Sequence, residues 1–258
     1  MRRAHQNRPA RGSLKWWALC AALDLALAGC GQMHGRPTSG DEVARPEDVL
    51  GFSVLYKDNC AACHGENGRD GASIMLANPA YVEMARDHLR EVIAKGRAGY
   101  LMPAFATSAG GMLTDRQVDV LAQGIVQQWG DTKALGGQTP PPFATTLHGD
   151  AARGLEAYGV FCARCHGPNG AGGAAEARID AGRSGSGKPG SLVDPSFLAL
   201  FSDQYLRSVT IAGRPDQGMP DWRSDGAQPM TDQQVTDIIA WMASKRVATP
   251  GQPYPEHP

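Results

Sequence analysis

The sequence predicts an all-α protein made of two tandem helical domains of one design. Three observations carry that prediction. The run Cys60-Ala61-Ala62-Cys63-His64-Gly65 returns as Cys162-Ala163-Arg164-Cys165-His166-Gly167, 102 positions later. Landmarks downstream of each run repeat as well. Near the end of each repeat, apolar residues step at helical spacing: Val118, Leu121 and Ile125 in the first, Val235, Ile238, Ile239 and Met242 in the second.

The chain has 258 residues, 42% hydrophobic and 20% charged, an ordinary globular profile with room for two small domains. A formal charge of −1 points to no nucleic-acid partner. The N-terminus reads as an export signal over 1–29. Arg2, Arg3, Arg8, Arg11 and Lys15 form a basic start, and the apolar stretch from Leu14 to Ala28 is broken, beyond Lys15, only by Asp24. That stretch is too short and interrupted for a comfortable membrane span. It ends in Leu27-Ala28-Gly29-Cys30, which resembles the bacterial lipobox. The resemblance implies cleavage before Cys30 and a lipid on that cysteine. Cleavage there removes five basic residues and one acid, leaving 20 bases against 25 acids, a formal −5. An acidic surface favours partners with a basic patch.

Residues 30–46 are Gly, Pro, Ser and charge without apolar periodicity, and read as a flexible tether. Residues 131–149, with Gly136-Gly137 and Pro140-Pro141-Pro142, read as a linker between domains at 47–130 and 150–247. The Pro-rich tail 248–258 reads as disordered. Downstream of the Cys motifs the repeat offset grows to 117. Leu89-Arg90 pairs with Leu206-Arg207, Gly96-Arg97 with Gly213-Arg214, Met102-Pro103 with Met219-Pro220, and Thr114-Asp115 with Thr231-Asp232. One fold is used twice, with a 15-residue insertion in the Gly- and Ser-rich stretch 172–190. Each repeat predicts a short helix entering the Cys motif (50–59; 154–161), a middle helix after a proline (80–95; 196–211), and a last helix. Thr114 and Thr231 are the expected N-caps of the last helices.

Cys-x-x-Cys-His is the attachment motif of c-type haem. Two thiols add across the porphyrin vinyl groups, and the adjacent His is set beneath the iron. A bare Cys-x-x-Cys would also suit redox thiols or half a zinc site. Here His follows directly, twice, and a zinc site shared by Cys60, Cys63, Cys162 and Cys165 would leave the repeat unexplained. The expected cofactors are therefore two covalent haem c groups, one on Cys60, Cys63 and His64 and one on Cys162, Cys165 and His166.

Taken together, these residues resemble class I cytochrome c in a two-domain arrangement like that of cytochrome c4, over roughly 47–130 and 150–247. The fold so implied is two tandem class I cytochrome c domains, each wrapped around one haem. In that family a Met from a loop after the middle helix takes the sixth iron position, which Met102 and Met219 match. Each precedes Pro and lies 12 residues before the last helix's Thr. A thioether ligand favours ferrous iron and raises the potential. Phe105 and Trp222 are expected beside the haems. Arg97 and Arg214 are either propionate partners or solvated loop arginines. His88 reads as a helix surface residue, His148 lies in the linker and His257 in the tail.

The expected function is electron transfer on the periplasmic side of a bacterial cell envelope, with the membrane reached through the lipid on Cys30. Donors would be a quinol-oxidising complex or a dehydrogenase, and acceptors a terminal oxidase or reductase. A lipid tether suits both a free shuttle and a fixed subunit of such a complex. The alternative is a dihaem enzyme, peroxidase-like or oxidising sulfur compounds, which needs an open or displaceable sixth position. One packing expectation also follows. In the family a Gly of the first helix admits an aromatic of the last, as Gly154 and Trp241 would here. The first repeat has Phe52 and Gly124 at those places, so large and small side chains are exchanged.

Overall fold

Side-chain caps begin six of the ten α-helices among the described residues. The computed structural model describes residues 44–97, 101–173, 189–224 and 228–248. The export signal, Cys30, nearly all of the tether, most of the Gly-rich insertion and nearly all of the tail lie outside the described residues. Among those described there are helices and no strand, with two isolated bridges, Ala106 to Leu113 and Arg214 to Met219. The first repeat contains α1 (Phe52–Asn59), α2 (Ala61–His64), α3 (Pro79–Ala85), α4 (Leu89–Lys95) and α5 (Asp115–Trp129). The second contains α6 (Ala151–Phe161), α7 (Ala163–His166), α8 (Pro195–Leu200), α9 (Asp203–Ala212) and α10 (Asp232–Ala243). Capping boxes start α5 and α10 as expected: the Gln117 N–H donates to Thr114 Oγ1 at 3.3 Å, and the Gln234 N–H to Thr231 Oγ1 at 3.2 Å.

The middle helix is two helices in each repeat, not one. Asn78 caps α3, a 3-10 turn at Arg86–His88 follows, and α4 resumes. In the second repeat Phe201 is extended (φ −120°, ψ 134°), and Ser202 caps a fresh start by accepting from the Tyr205 N–H at 3.1 Å. α6 also begins earlier than expected, because Asp150 caps it by accepting the Arg153 N–H at 2.9 Å.

In each repeat the first helix crosses the last at a point with no room for one more carbon. A Cβ on Gly154 would lie 2.0 Å from the Asp237 carbonyl oxygen and 2.8 Å from Trp241 Cβ. A Cβ on Gly124 would lie 2.0 Å from Phe52 Cδ2. The exchange of large and small is present. Trp129 completes it by packing edge-on to Phe52 and Tyr56, with centroids 5.9 and 5.2 Å away. Its ring tip sits 3.0 Å from where Gly68 would carry a Cβ, and that of Trp241 sits 2.9 Å from the same point on Gly170. Gly68 and Gly170 are repeat equivalents. The two indoles therefore fill one place from helix positions five residues out of register.

The stretch 131–149 is packed, with Leu135 and Phe143 buried. Buried Arg207 donates to the Pro142 carbonyl at 2.7 Å and the Phe143 carbonyl at 3.2 Å, and Gln204 adds a bond to Phe143 O at 2.8 Å. The Phe143 ring stacks on His88 at 4.8 Å and lies 5.3 Å beneath the Arg97 guanidinium. His88 is thus half-buried against the strap rather than a free surface residue. A second tie between the repeats is buried: Asn78 Nδ2 donates to the Ala212 carbonyl at 2.8 Å.

Gly124→Ala should cost about 1–3 kcal/mol through overpacking against Phe52. The same change made in a Phe52→Ala background should cost little. Denaturant unfolding of the two singles and the double reads this coupling, and purely additive effects would contradict the exchange.

Candidate cofactor sites

Each Cys motif is a single helical turn continuing the first helix. The Cys60 carbonyl accepts from the Cys63 and His64 amides at 3.2 and 3.0 Å, and the Cys162 carbonyl from Cys165 and His166 at 3.1 and 3.0 Å. All four cysteines are free thiols. Cys60 and Cys162 pack against the core, whereas Cys63 is exposed. Burial, reinforced by the neighbouring thiol, pushes Cys60 and Cys162 each up to about 12. Among the described residues, no three of His, Cys, Asp and Glu are grouped to hold a bare metal ion.

The histidines are set up differently. His64 Nδ1 lies 2.8 Å from the Ile74 carbonyl, and His166 Nδ1 lies 3.2 Å from the Gly190 carbonyl. A carbonyl only accepts, so Nδ1 carries the proton and Nε2 keeps its lone pair. Burial lowers both pKa values and keeps the rings neutral. The residue after each His is held too. Tyr56 Oη donates to the Gly65 carbonyl at 2.8 Å and Tyr158 Oη to the Gly167 carbonyl at 2.5 Å. Sequence reasoning passed over these tyrosines, although each stands four residues before its first Cys and the two share the 102 offset.

Both methionines are half-buried and lie on loops bonded back to the end of the middle segment. The Arg97 amide donates to the Met102 carbonyl at 2.9 Å, and the Phe105 amide to Ile93 O at 3.2 Å. Arg214 and Met219 bond both ways, at 2.9 and 3.0 Å, and the Trp222 amide donates to Ile211 O at 2.8 Å. Met102 packs against the same buried cluster as Cys60, and Trp222 is fully buried. The Arg97 side chain is taken up by Phe143. That of Arg214 donates from Nη2 to the Gly71 carbonyl at 3.1 Å and lies 3.5 Å from Asp216. Its buried Nε and both Asp216 oxygens lack hydrogen-bond partners among the described residues. His148 is exposed, and His257 lies outside the described residues.

This donor set fits a haem. A porphyrin brings four nitrogens of its own, so it needs two thiols for its edge and axial groups for its iron, not a ligand polyhedron. Each repeat supplies two unpaired thiols, an imidazole with Nε2 free, and a thioether on a tethered loop.

The family model described as cytochrome c oxidase, cbb3-type, subunit III matches residues 51–123 and again 149–242, one motif and one loop methionine in each. The cbb3-type cytochrome c oxidase subunit CcoP of Rubrivivax gelatinosus is 28% identical over 171 residues, covering 63% of this chain and 50% of that one. The CcoP of Azospirillum sp. (strain B510) is 27% identical over 168 residues, covering 58% and 50%. The chain spans about half the length of the curated relatives it matches. A solved chain of the Kuenenia stuttgartiensis reducing HAO-like protein complex is 15% identical with a TM-score of 0.42, over 80% of this chain and all of that one.

Tyr56→Phe and Tyr158→Phe should each cost about 1 kcal/mol of stability by stripping a carbonyl of its partner. Thermal unfolding of the two singles and the double should give additive losses, since each tyrosine serves its own motif.

Proposed function

The chain belongs to the cytochrome c oxidase, cbb3-type, subunit III family and is a dihaem class I cytochrome c with two haem c groups, and on that premise we propose that it relays electrons between redox proteins at a membrane. Cys60 and Cys63 would hold one haem through thioether links, with His64 and Met102 as the groups that would bind its iron. Cys162, Cys165, His166 and Met219 would do the same for the other. Bound there, each haem supplies an iron that changes its charge by one electron.

The chain's own residues make that change easy. The Nδ1 proton donated to Ile74 O or Gly190 O fixes the imidazole plane and raises the donor strength of Nε2. The backbone bonds at Met102 and Met219 hold each thioether on a braced loop. An imidazole and a thioether braced in this way would move little if the iron they held changed its oxidation state, as rapid outer-sphere transfer requires. The observation that carries this reading is the doubled motif in which each His keeps Nε2 free while its Nδ1 is committed to a backbone carbonyl.

The protein works as a carrier rather than a catalyst, because two protein ligands per iron leave no position for a substrate. Residues 1–29 direct export, Cys30 carries the lipid, 30–46 form the tether, and domains 47–130 and 150–247 lie on the periplasmic side of the envelope, joined by 131–149. Among the described residues no helix is long and apolar enough to cross a membrane. The donor is a quinol-oxidising complex or dehydrogenase, and the acceptor a terminal oxidase or reductase. The names of the relatives favour an oxidase, with this chain as one of its subunits.

Mass spectrometry of the membrane-extracted protein should find a lipidated chain beginning at Cys30 with two haem masses. Redox titration should give two one-electron steps at positive potential, and the reduced protein should not bind carbon monoxide rapidly. Met102→Ala and Met219→Ala should each lower one potential and open one site, with one equivalent of carbon monoxide bound. Rapid stoichiometric binding by the unaltered protein would overturn the carrier reading in favour of a dihaem enzyme.

A further inference from the structure

Arg214 is the one of the two repeat-equivalent arginines whose side chain reaches the other repeat's Cys motif. Its backbone bonds Met219 in both directions, and its Nη2 donates to the Gly71 carbonyl 143 residues away. Gly71 is wedged against the first motif. A Cβ there would lie 2.4 Å from Cys63 O, 2.5 Å from the His64 carbonyl carbon and 2.6 Å from Gly65 N. Two residues on, the Ser73 amide donates to Cys63 O at 2.9 Å, and Ile74 O is the acceptor of His64 Nδ1. The guanidinium is well buried, and its counter-charge, Asp216, is 3% exposed. Among the described residues there is no reciprocal contact. Arg97, the equivalent of Arg214, lies over Phe143, and a Cβ on Gly173, the equivalent of Gly71, would meet nothing within 4 Å.

We infer that Arg214 is a positioning residue that ties the methionine loop of the second haem to the histidine loop of the first, so that this contact from the second domain tunes the potential of the first haem. The physical route is short. Any shift of the 214–219 loop pulls on Gly71, and Gly71 has no slack against the Cys63–His64 peptide. The buried positive charge also stands nearer the first motif's backbone than solvent would, which favours the reduced, less positive state there. This rests on the ligand assignment proposed above.

The test is Arg214→Gln and Arg214→Lys in the full dihaem protein, with Asp216→Asn as a companion that keeps the bond to Gly71. The first haem is identified beforehand through Met102→Ala. In Arg214→Gln the Ser73 amide should exchange hydrogen about tenfold faster. The first haem's reduction constant should fall about tenfold, or 59 mV for one electron, with both irons still six-coordinate by absorption. Arg214→Lys should recover part of each effect, and Asp216→Asn should leave Ser73 exchange near that of the unaltered protein. Unchanged Ser73 exchange, a potential shift confined to the second haem, or equal Ser73 effects in Arg214→Gln and Asp216→Asn would overturn the inference. None of these outcomes touches the ligand set, which Met102→Ala and Met219→Ala test separately.

Discussion

Close contact between the first and last helix of each repeat is the constraint from which the rest of the geometry follows. Gly154 against the Asp237 backbone and Gly124 against the Phe52 ring leave no space for a methyl group, so each crossing has one possible depth. The Cys motif hangs from the end of the first helix, and the methionine loop runs directly into the start of the last. Fixing the crossing fixes the two supports on which a haem would be held. Asp237 adds a directional lock in the second repeat, accepting from the Asp150 amide at 2.7 Å and from Arg153 Nε at 2.9 Å. A buried carboxylate so fully engaged resists rotation of one helix over the other.

The repeats are also bound to each other by polar contacts in places where water is excluded. The strap 131–149 is caught by Arg207 and Gln204 of α9, while its Phe143 is gripped by His88 and Arg97 of the first repeat. Asn78 and Arg214 bond backbone carbonyls across the divide. Each of these donors would leave a buried group unsatisfied if the repeats parted, which costs more than the bond itself contributes. Repeats joined in this way belong to one compact unit and resist being parted, which would hold the two cofactor sites in a fixed relation.

Much of this was legible in the residues because it is written as local pattern or as repeat register. The caps at Thr114 and Thr231 are short-range, and the exchange of Phe52 and Gly124 appears once the halves are aligned. The break in the first repeat's middle helix was not legible, because a 3-10 turn interrupts the helix without breaking the chain's helical course. The packing of the strap was not legible for another reason. Proline and glycine report backbone freedom, whereas its order comes from carbonyls captured by side chains more than 60 residues away. The tie from Arg214 to Gly71 is longer still in sequence, and neither residue type announces it. Tyr56 and Tyr158 were open to discovery by the same offset as the cysteines, but an aromatic residue in a short amphipathic helix reads first as core.

The exchanged crossing also bears on how such a duplicated chain can evolve. Two copies of one domain within a gene invite recombination between themselves. Here a first helix from one copy cannot serve the last helix of the other. Phe52 laid over Trp241 would place two large rings where one fits, and Gly154 laid over Gly124 would leave a void where a ring belongs. Once large and small had changed places in one repeat, a crossover between the copies would yield chains with a collided or hollow core. Divergence at that one contact therefore protects the two domains from being made alike again, and leaves each free to take on its own potential.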